Sequence, residues 1–194
     1  MPITASSLAV RLGFQTTARL AVLAGGIAVL SACASDLEDS LSCPNITLLE
    51  DTRTLTRMAS GSAGVAFEAE IAQAVGTCDY DLDNDTKTGT LDAKITATFN
   101  LTRSGALPTN AVSFDYYVAI TDPYGEVLNK ATFSVPTAFE PGLNRVSVED
   151  DPVRLSIPLK TASVTTRANK KFHIIVGFQL SPNELDYNRK KPRR

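Results

Sequence analysis

The sequence predicts an all-β protein, an antiparallel β-sandwich, on three observations. Leu91, Ala93, Ile95, Ala97, Phe99 and Leu101 alternate with Asp92, Lys94, Thr96, Thr98, Asn100 and Thr102, the period of two expected of a strand buried on one face. Two further alternating runs flank Asp122-Pro123-Tyr124-Gly125, a turn tetrapeptide with Pro at its second position. Beyond residue 32 no stretch shows the 3.6-residue periodicity of an amphipathic helix. Composition agrees with one folded core: 194 residues, 43% of them apolar and 21% charged, exclude disorder throughout, and 11 Gly with 10 Pro in no repeating triplet exclude a collagen-like chain. No apolar run approaches the roughly 20 residues of a transmembrane helix.

The first 32 residues are an export signal rather than part of the fold. They contain no Asp or Glu, carry Arg11 and Arg19, and continue into the apolar run LAVLAGGIAVL at 20–30, the order of basic flank, short apolar segment and small residues. As a helix that run spans about 16 Å, half of a hydrocarbon core, which suits targeting and not a permanent span.

Leu30-Ser31-Ala32-Cys33 follows directly and resembles the lipobox of bacterial lipoproteins. The resemblance implies diacylglycerol on the Cys33 sulfur, cleavage before Cys33 and acylation of the new amino group. Acyl chains at about 0.8 kcal/mol per buried methylene would tether the chain permanently. Ala34 and Ser35 follow the anchor in place of Asp, which by the sorting pattern of enteric lipoproteins implies passage to the outer membrane. With Cys33 assigned to lipid, Cys43 and Cys78 are the remaining pair, and an exported compartment is oxidising, so a disulfide is inferred; the alternative is two separate buried thiols. Closing a loop of about 35 residues stabilises a fold by roughly 3 to 4 kcal/mol in the chain-entropy model.

The segment ASDLEDSL at 34–41 is short, acidic and aperiodic, the composition of a flexible spacer, so residues 33–42 read as lipidated terminus and tether. Residues 46–49 and 53–57 read as short extended segments, and MASGSAG at 58–64 as a loop. From Val65 to Val75 the odd positions Val65, Phe67, Ala69, Ile71, Gln73 and Val75 form one strand face. After the strand at 91–102, Val112, Phe114, Tyr116, Val118 and Ile120 form the next, and Val127, Asn129, Ala131, Phe133 and Val135 its hairpin partner, ended by Pro136. Residues 145–148 and 153–159 read as two more strands, the second confined to an edge or bulge by Pro158. Arg167 to Lys170 make a turn, and Phe172, Ile174, Val176, Phe178 and Gln179-Leu180, with Ile175 and Gly177 on the opposite parity, form a last strand covered on both faces. The size and strand count resemble the immunoglobulin or fibronectin type III architecture, without its hallmark Trp, since the chain has none. An eight-stranded closed barrel is the competing reading. One domain, 43–182, is expected, with 183–194 as a basic tail. The block 43–85, with CPNITLLEDTRTLTR and VAFEAEIAQAVGTCDYD, is similar to a group of proteobacterial envelope lipoproteins, which implies a location and no chemistry.

Charge argues against nucleic acid as a partner. Without residues 1–32 the chain holds 17 basic and 21 acidic groups, and five of those cations fall in the last six residues, which leaves an acidic body with little to neutralise phosphates. That terminal cluster, Arg189, Lys190, Lys191, Arg193 and Arg194, reads either as a solubilising tail or as a contact for an anionic envelope polymer or acidic protein. Asp79, Asp81, Asp83 and Asp85 stand at every second position, as in a calcium loop, but the EF-hand pattern counted from Asp81 meets Thr86 and Asp92 where it needs Gly and Glu. A solvated acidic loop and a loose divalent site are the two readings. His173, the sole histidine, lacks a second His for zinc and reads as a strand residue.

No nucleophile elbow, phosphate loop or metal motif occurs, and no cofactor is expected. The reading that follows is a lipid-anchored periplasmic module, not an enzyme, that binds or scaffolds an envelope protein or polymer. Two alternatives stand beside it: a hydrolase working with two carboxylates, and a carrier whose apolar cavity would be lined by Phe99, Phe114 and Phe133.

Overall fold

The computed structural model describes residues 43–159, except 60, 62, 63, 84, 87, 106 and 108, and residues 172–191. The signal, Cys33, the spacer, the turn at 167–170, Arg193 and Arg194 lie outside the described residues. Within them are nine strands: β1 (Asn45–Leu48), β2 (Thr54–Met58), β3 (Val65–Asp83), β4 (Thr88–Arg103), β5 (Ala111–Thr121), β6 (Val127–Ala138), β7 (Arg145–Glu149), β8 (Val153–Leu159) and β9 (His173–Phe178). A short 3-10 helix (Glu50–Thr52) joins β1 to β2, and a helix, α1 (Pro182–Lys190), closes the described chain.

The strands form two sheets. The first has the order β1-β9-β5-β6, antiparallel except for the β1–β9 pair, and the second runs β2-β3-β4, with β7 and β8 both on the far side of β4. No strand pairing joins the two among the described residues, so the architecture is the sandwich and not the closed barrel. β7 and β8 share one edge of β4: Thr98 to Thr102 pair with β7, and Gly89 to Ile95 with β8. Between them Asp150, Asp151 and Pro152 stand against Thr96 and Ala97, and the Asp150 amide donates to the Ala97 carbonyl at 3.0 Å. This is a bulge, and it turns Asp150 toward the other sheet.

Alternation becomes packing most directly in β4, where Leu91, Ala93, Ile95, Ala97, Phe99 and Leu101 are all buried. Phe99 is the hub of the interior: its ring lies 5.0 Å from Phe114 and from Tyr116 and 5.7 Å from Phe178, in edge-on and tilted contacts that aromatic quadrupoles favour. Tyr116 reaches across from β5 and donates its hydroxyl to the Asp150 carboxylate at 2.7 Å, which satisfies the one polar atom of that buried ring.

Three elements depart from the sequence reading. β3 does not stop near Val75 but runs to Asp83, and its register with β4 shifts between Ile71 and Gln73. That bulge exchanges the faces: Phe67, Ala69 and Ile71 point inward before it, Ala74, Cys78, Tyr80 and Leu82 pack inward after it, and Val75 is left half exposed. β6 continues past Pro136 to Ala138, because it is the edge of its sheet and has one side with no ladder bonds to lose.

The third departure is α1, where the sequence reading had a charged tail without helical character. Ser181 accepts the Glu184 amide at 3.4 Å, Glu184 accepts the Ser181 amide at 2.8 Å, and Pro182 occupies the first turn, so a complete capping box starts the helix. No residue of α1 is buried. A helix without an apolar stripe leaves no periodicity to detect.

Candidate functional site

The two cysteines left by the lipid assignment are joined: Cys43, just ahead of β1, and Cys78, within β3, form a disulfide across the two sheets. On the opposite flank the Asn129 side chain of β6 donates to the Ser156 carbonyl of β8 at 2.8 Å. The sandwich is therefore clasped at both flanks, once covalently and once by a hydrogen bond.

The acidic run is strand and tight turn, not a loop. Asp79, Asp81 and Asp83 occupy the outward row of β3, with Tyr80 and Leu82 turned in, and Asp79 stands directly opposite Asp92 of β4. Ser156 donates its hydroxyl to Asp92. Asp83 turns the chain by accepting the amides of Asp85 and Thr86 at 2.8 and 2.9 Å. Among the described residues no three His, Cys, Asp or Glu side chains converge on a metal-sized space. Burial raises the Tyr80 phenol above its ordinary value, in keeping with its inward place beside the disulfide.

Two of the terminal cations, Arg189 and Lys191, meet a specific surface. α1 lies against the 3-10 helix and β2, where Asn188 donates its amide to the carbonyls of Asp51 and Thr54 at 3.0 and 2.7 Å. Arg189 pairs with Asp51 at 3.2 Å, and Arg57 with Glu184 at 3.4 Å. Lys191 bonds Thr56 at 3.0 Å and approaches Glu68 at 3.5 Å. Two of the five predicted anion-contact residues, Arg189 and Lys191, are thus turned onto the protein's own carboxylates, while Lys190 is exposed. Sequence reasoning passed over Asn188 and the capping residues; Ser181-Pro182-Asn183-Glu184, with its Ser, Pro and Glu spacing, was the available signal.

Beside α1 an open groove of about 650 Å³ crosses the outer face of the second sheet. Its floor is two cross-strand rows, Thr54-Glu70-Asn100 and Thr56-Glu68-Thr102; in register beyond it stand Ser147 and Arg145 of β7, which line a separate depression. Glu70 is held by Arg53 at 3.0 Å and Glu68 by Lys191, and both glutamates remain about half exposed. Of the three rings a carrier cavity would need, Phe99 and Phe114 are buried against each other and Phe178, and Phe133 stacks at 5.5 Å on Tyr116. That region is filled by aromatic packing. What the groove offers is a floor of hydroxyls, the Asn100 amide and the paired carboxylates of Glu68 and Glu70, beside the α1 residues Asn188 and Arg189 and the following Lys191.

Comparison of the chain with protein families, with curated proteins and with solved structures finds no match in any of the three.

Proposed function

We propose that this protein is a lipid-anchored module of a bacterial envelope, held by acylated Cys33 at the periplasmic face of the outer membrane, which binds or scaffolds another envelope component. The observation that carries the reading is Leu30-Ser31-Ala32-Cys33 placed directly after the apolar run at 20–30. The Cys43–Cys78 disulfide supports export, since such bonds persist in oxidising compartments. For the partner, the polar lining of the groove favours an envelope protein or a polar envelope polymer over an apolar ligand.

Mass spectrometry of the protein extracted from membranes tests the anchor: a diacylglyceryl-modified Cys33 at the mature N-terminus is expected, and Cys33→Ser releases the chain into the soluble fraction. An unmodified Cys33, or a mature chain that begins elsewhere, overturns it. For the partner, in vivo crosslinking from the groove position Asn100 should trap an envelope component that a crosslinker placed at Glu126 does not.

A further inference from the structure

The strand registers fix which end of the sandwich carries the chain that leads to Cys33. Asn45, two residues after Cys43, pairs with His173; His173 pairs with Thr121; and Thr121 pairs with Val127. Cys43 and the β5–β6 turn therefore share one end of the first sheet. The ten-residue step from Cys33 to Cys43 spans at most about 35 Å when fully extended, so an anchor at Cys33 keeps this end near the bilayer.

At that end the turn displays side chains the interior does not use. Tyr124 is 94% exposed, Val127 55% and Leu128 43%, three large apolar groups within five residues. The turn that presents them is rigidly specified: Asp122 accepts the amides of Tyr124 and Glu126 at 2.8 Å each, and Gly125 takes the positive φ of 88° that the turn requires. A clustered apolar display on a fixed frame marks a contact surface. An aromatic ring with a hydroxyl at its tip suits the boundary between water and hydrocarbon. The neighbouring β3–β4 end carries exposed Asp81, Asp83 and Asp85, which an anionic surface would repel. We propose that Tyr124, Val127 and Leu128 are the membrane-contacting tip of the domain and settle into the headgroup region of a neutral, zwitterionic lipid surface. The proposal rests on the lipid-anchor reading and adds to it the face that the domain turns to the bilayer.

The absence of Trp makes the test direct. Full-length lipidated protein carrying Tyr124→Trp is reconstituted with phosphatidylcholine and phosphatidylethanolamine vesicles, with and without brominated acyl chains. Leu143→Trp, at an exposed site on the opposite end, is the control. Insertion of about 5–10 Å should blue-shift the indole of the Tyr124→Trp variant and let brominated lipid quench it about twofold, with the control unaffected. A variant that floats with the vesicles while its indole emits as in water overturns the tip and leaves the anchor standing; equal quenching at both sites overturns it too. A protein that fails to float overturns the anchor, and the tip with it.

Discussion

Phe99 and Asn188 each join segments far apart in the sequence, and they do so by opposite means. Phe99 gathers Phe114, Tyr116 and Phe178 from the facing sheet into a water-free cluster. Asn188 gathers Asp51 and Thr54 through amide hydrogen bonds on a helix with no fully buried residue, helped by ion pairs at the surface. Dispersion and burial scale with area and are not screened by salt, whereas exposed ion pairs are each worth little and are screened. The interior should therefore unfold as a unit, with α1 able to detach below that threshold. Perturbing each side in turn measures how independent they are.

The largest effect belongs to the hub. Phe99→Ala removes a fully buried ring touching three others, and should lower the unfolding free energy by about 3–5 kcal/mol in urea titration. A loss under about 1 kcal/mol would mean that the interior is not organised around that ring.

Next comes the covalent clasp. Cys43→Ser with Cys78→Ser opens a loop with a sequence separation of 35, and about 3 to 4 kcal/mol of stability should go with it. Comparing oxidised and reduced wild type by urea titration checks the same quantity without substitution. An unchanged midpoint would place the stabilisation elsewhere.

Tyr116→Phe tests the polar bridge between the sheets. The phenol is pushed far above its ordinary value of 10 by burial first, then by its hydrogen bond to Asp150 and by that carboxylate's charge. Because the folded state keeps the proton while the unfolded chain releases it, this group stabilises the fold fully below pH 10, and that contribution falls away as pH rises above it. Substitution should cost about 1.5–3 kcal/mol at neutral pH, since a carboxylate loses its donor, and should flatten the decline of melting temperature above pH 10. An unaltered alkaline slope would rule out Tyr116 as its source.

How far these features could be read beforehand follows from their physics. The β4 alternation and the β5–β6 hairpin were legible because one-sided burial writes a period of two. The Ile71–Gln73 bulge was not, because an extra residue exchanges faces without altering composition: Gln73 and Val75 continue the apolar-looking parity of Phe67 and Ile71 yet point outward. The disulfide pairing was legible by arithmetic. α1 was missed because periodicity reports apolar faces, and its capping box, although written in residues 181–184, is a polar signal. The groove was beyond reach, since its rows combine residues from β2, β3, β4 and β7 whose registers only the folded sheet sets.

The smallest effects lie in α1 and decide whether it is a separate unit. Ser181→Ala deletes the cap and should cost about 1 kcal/mol, read as amide exchange across Pro182–Lys190 that is about fivefold faster, with β4 and β5 unchanged. Arg189→Ala removes a pair whose partners are both partly exposed, so about 0–1 kcal/mol is at stake. Its diagnostic is salt. Between about 0.01 M and 1 M the screening length falls from about 30 to 3 Å. Exchange in wild-type α1 should quicken over that range, and quicken less once Arg189 is gone. If β4 and β5 quickened alongside α1, the helix would be part of the same cooperative unit as Phe99, and the contrast between the two regions would collapse. If nothing quickened, the Asn188 bonds and the capping box would hold the helix without help from charge.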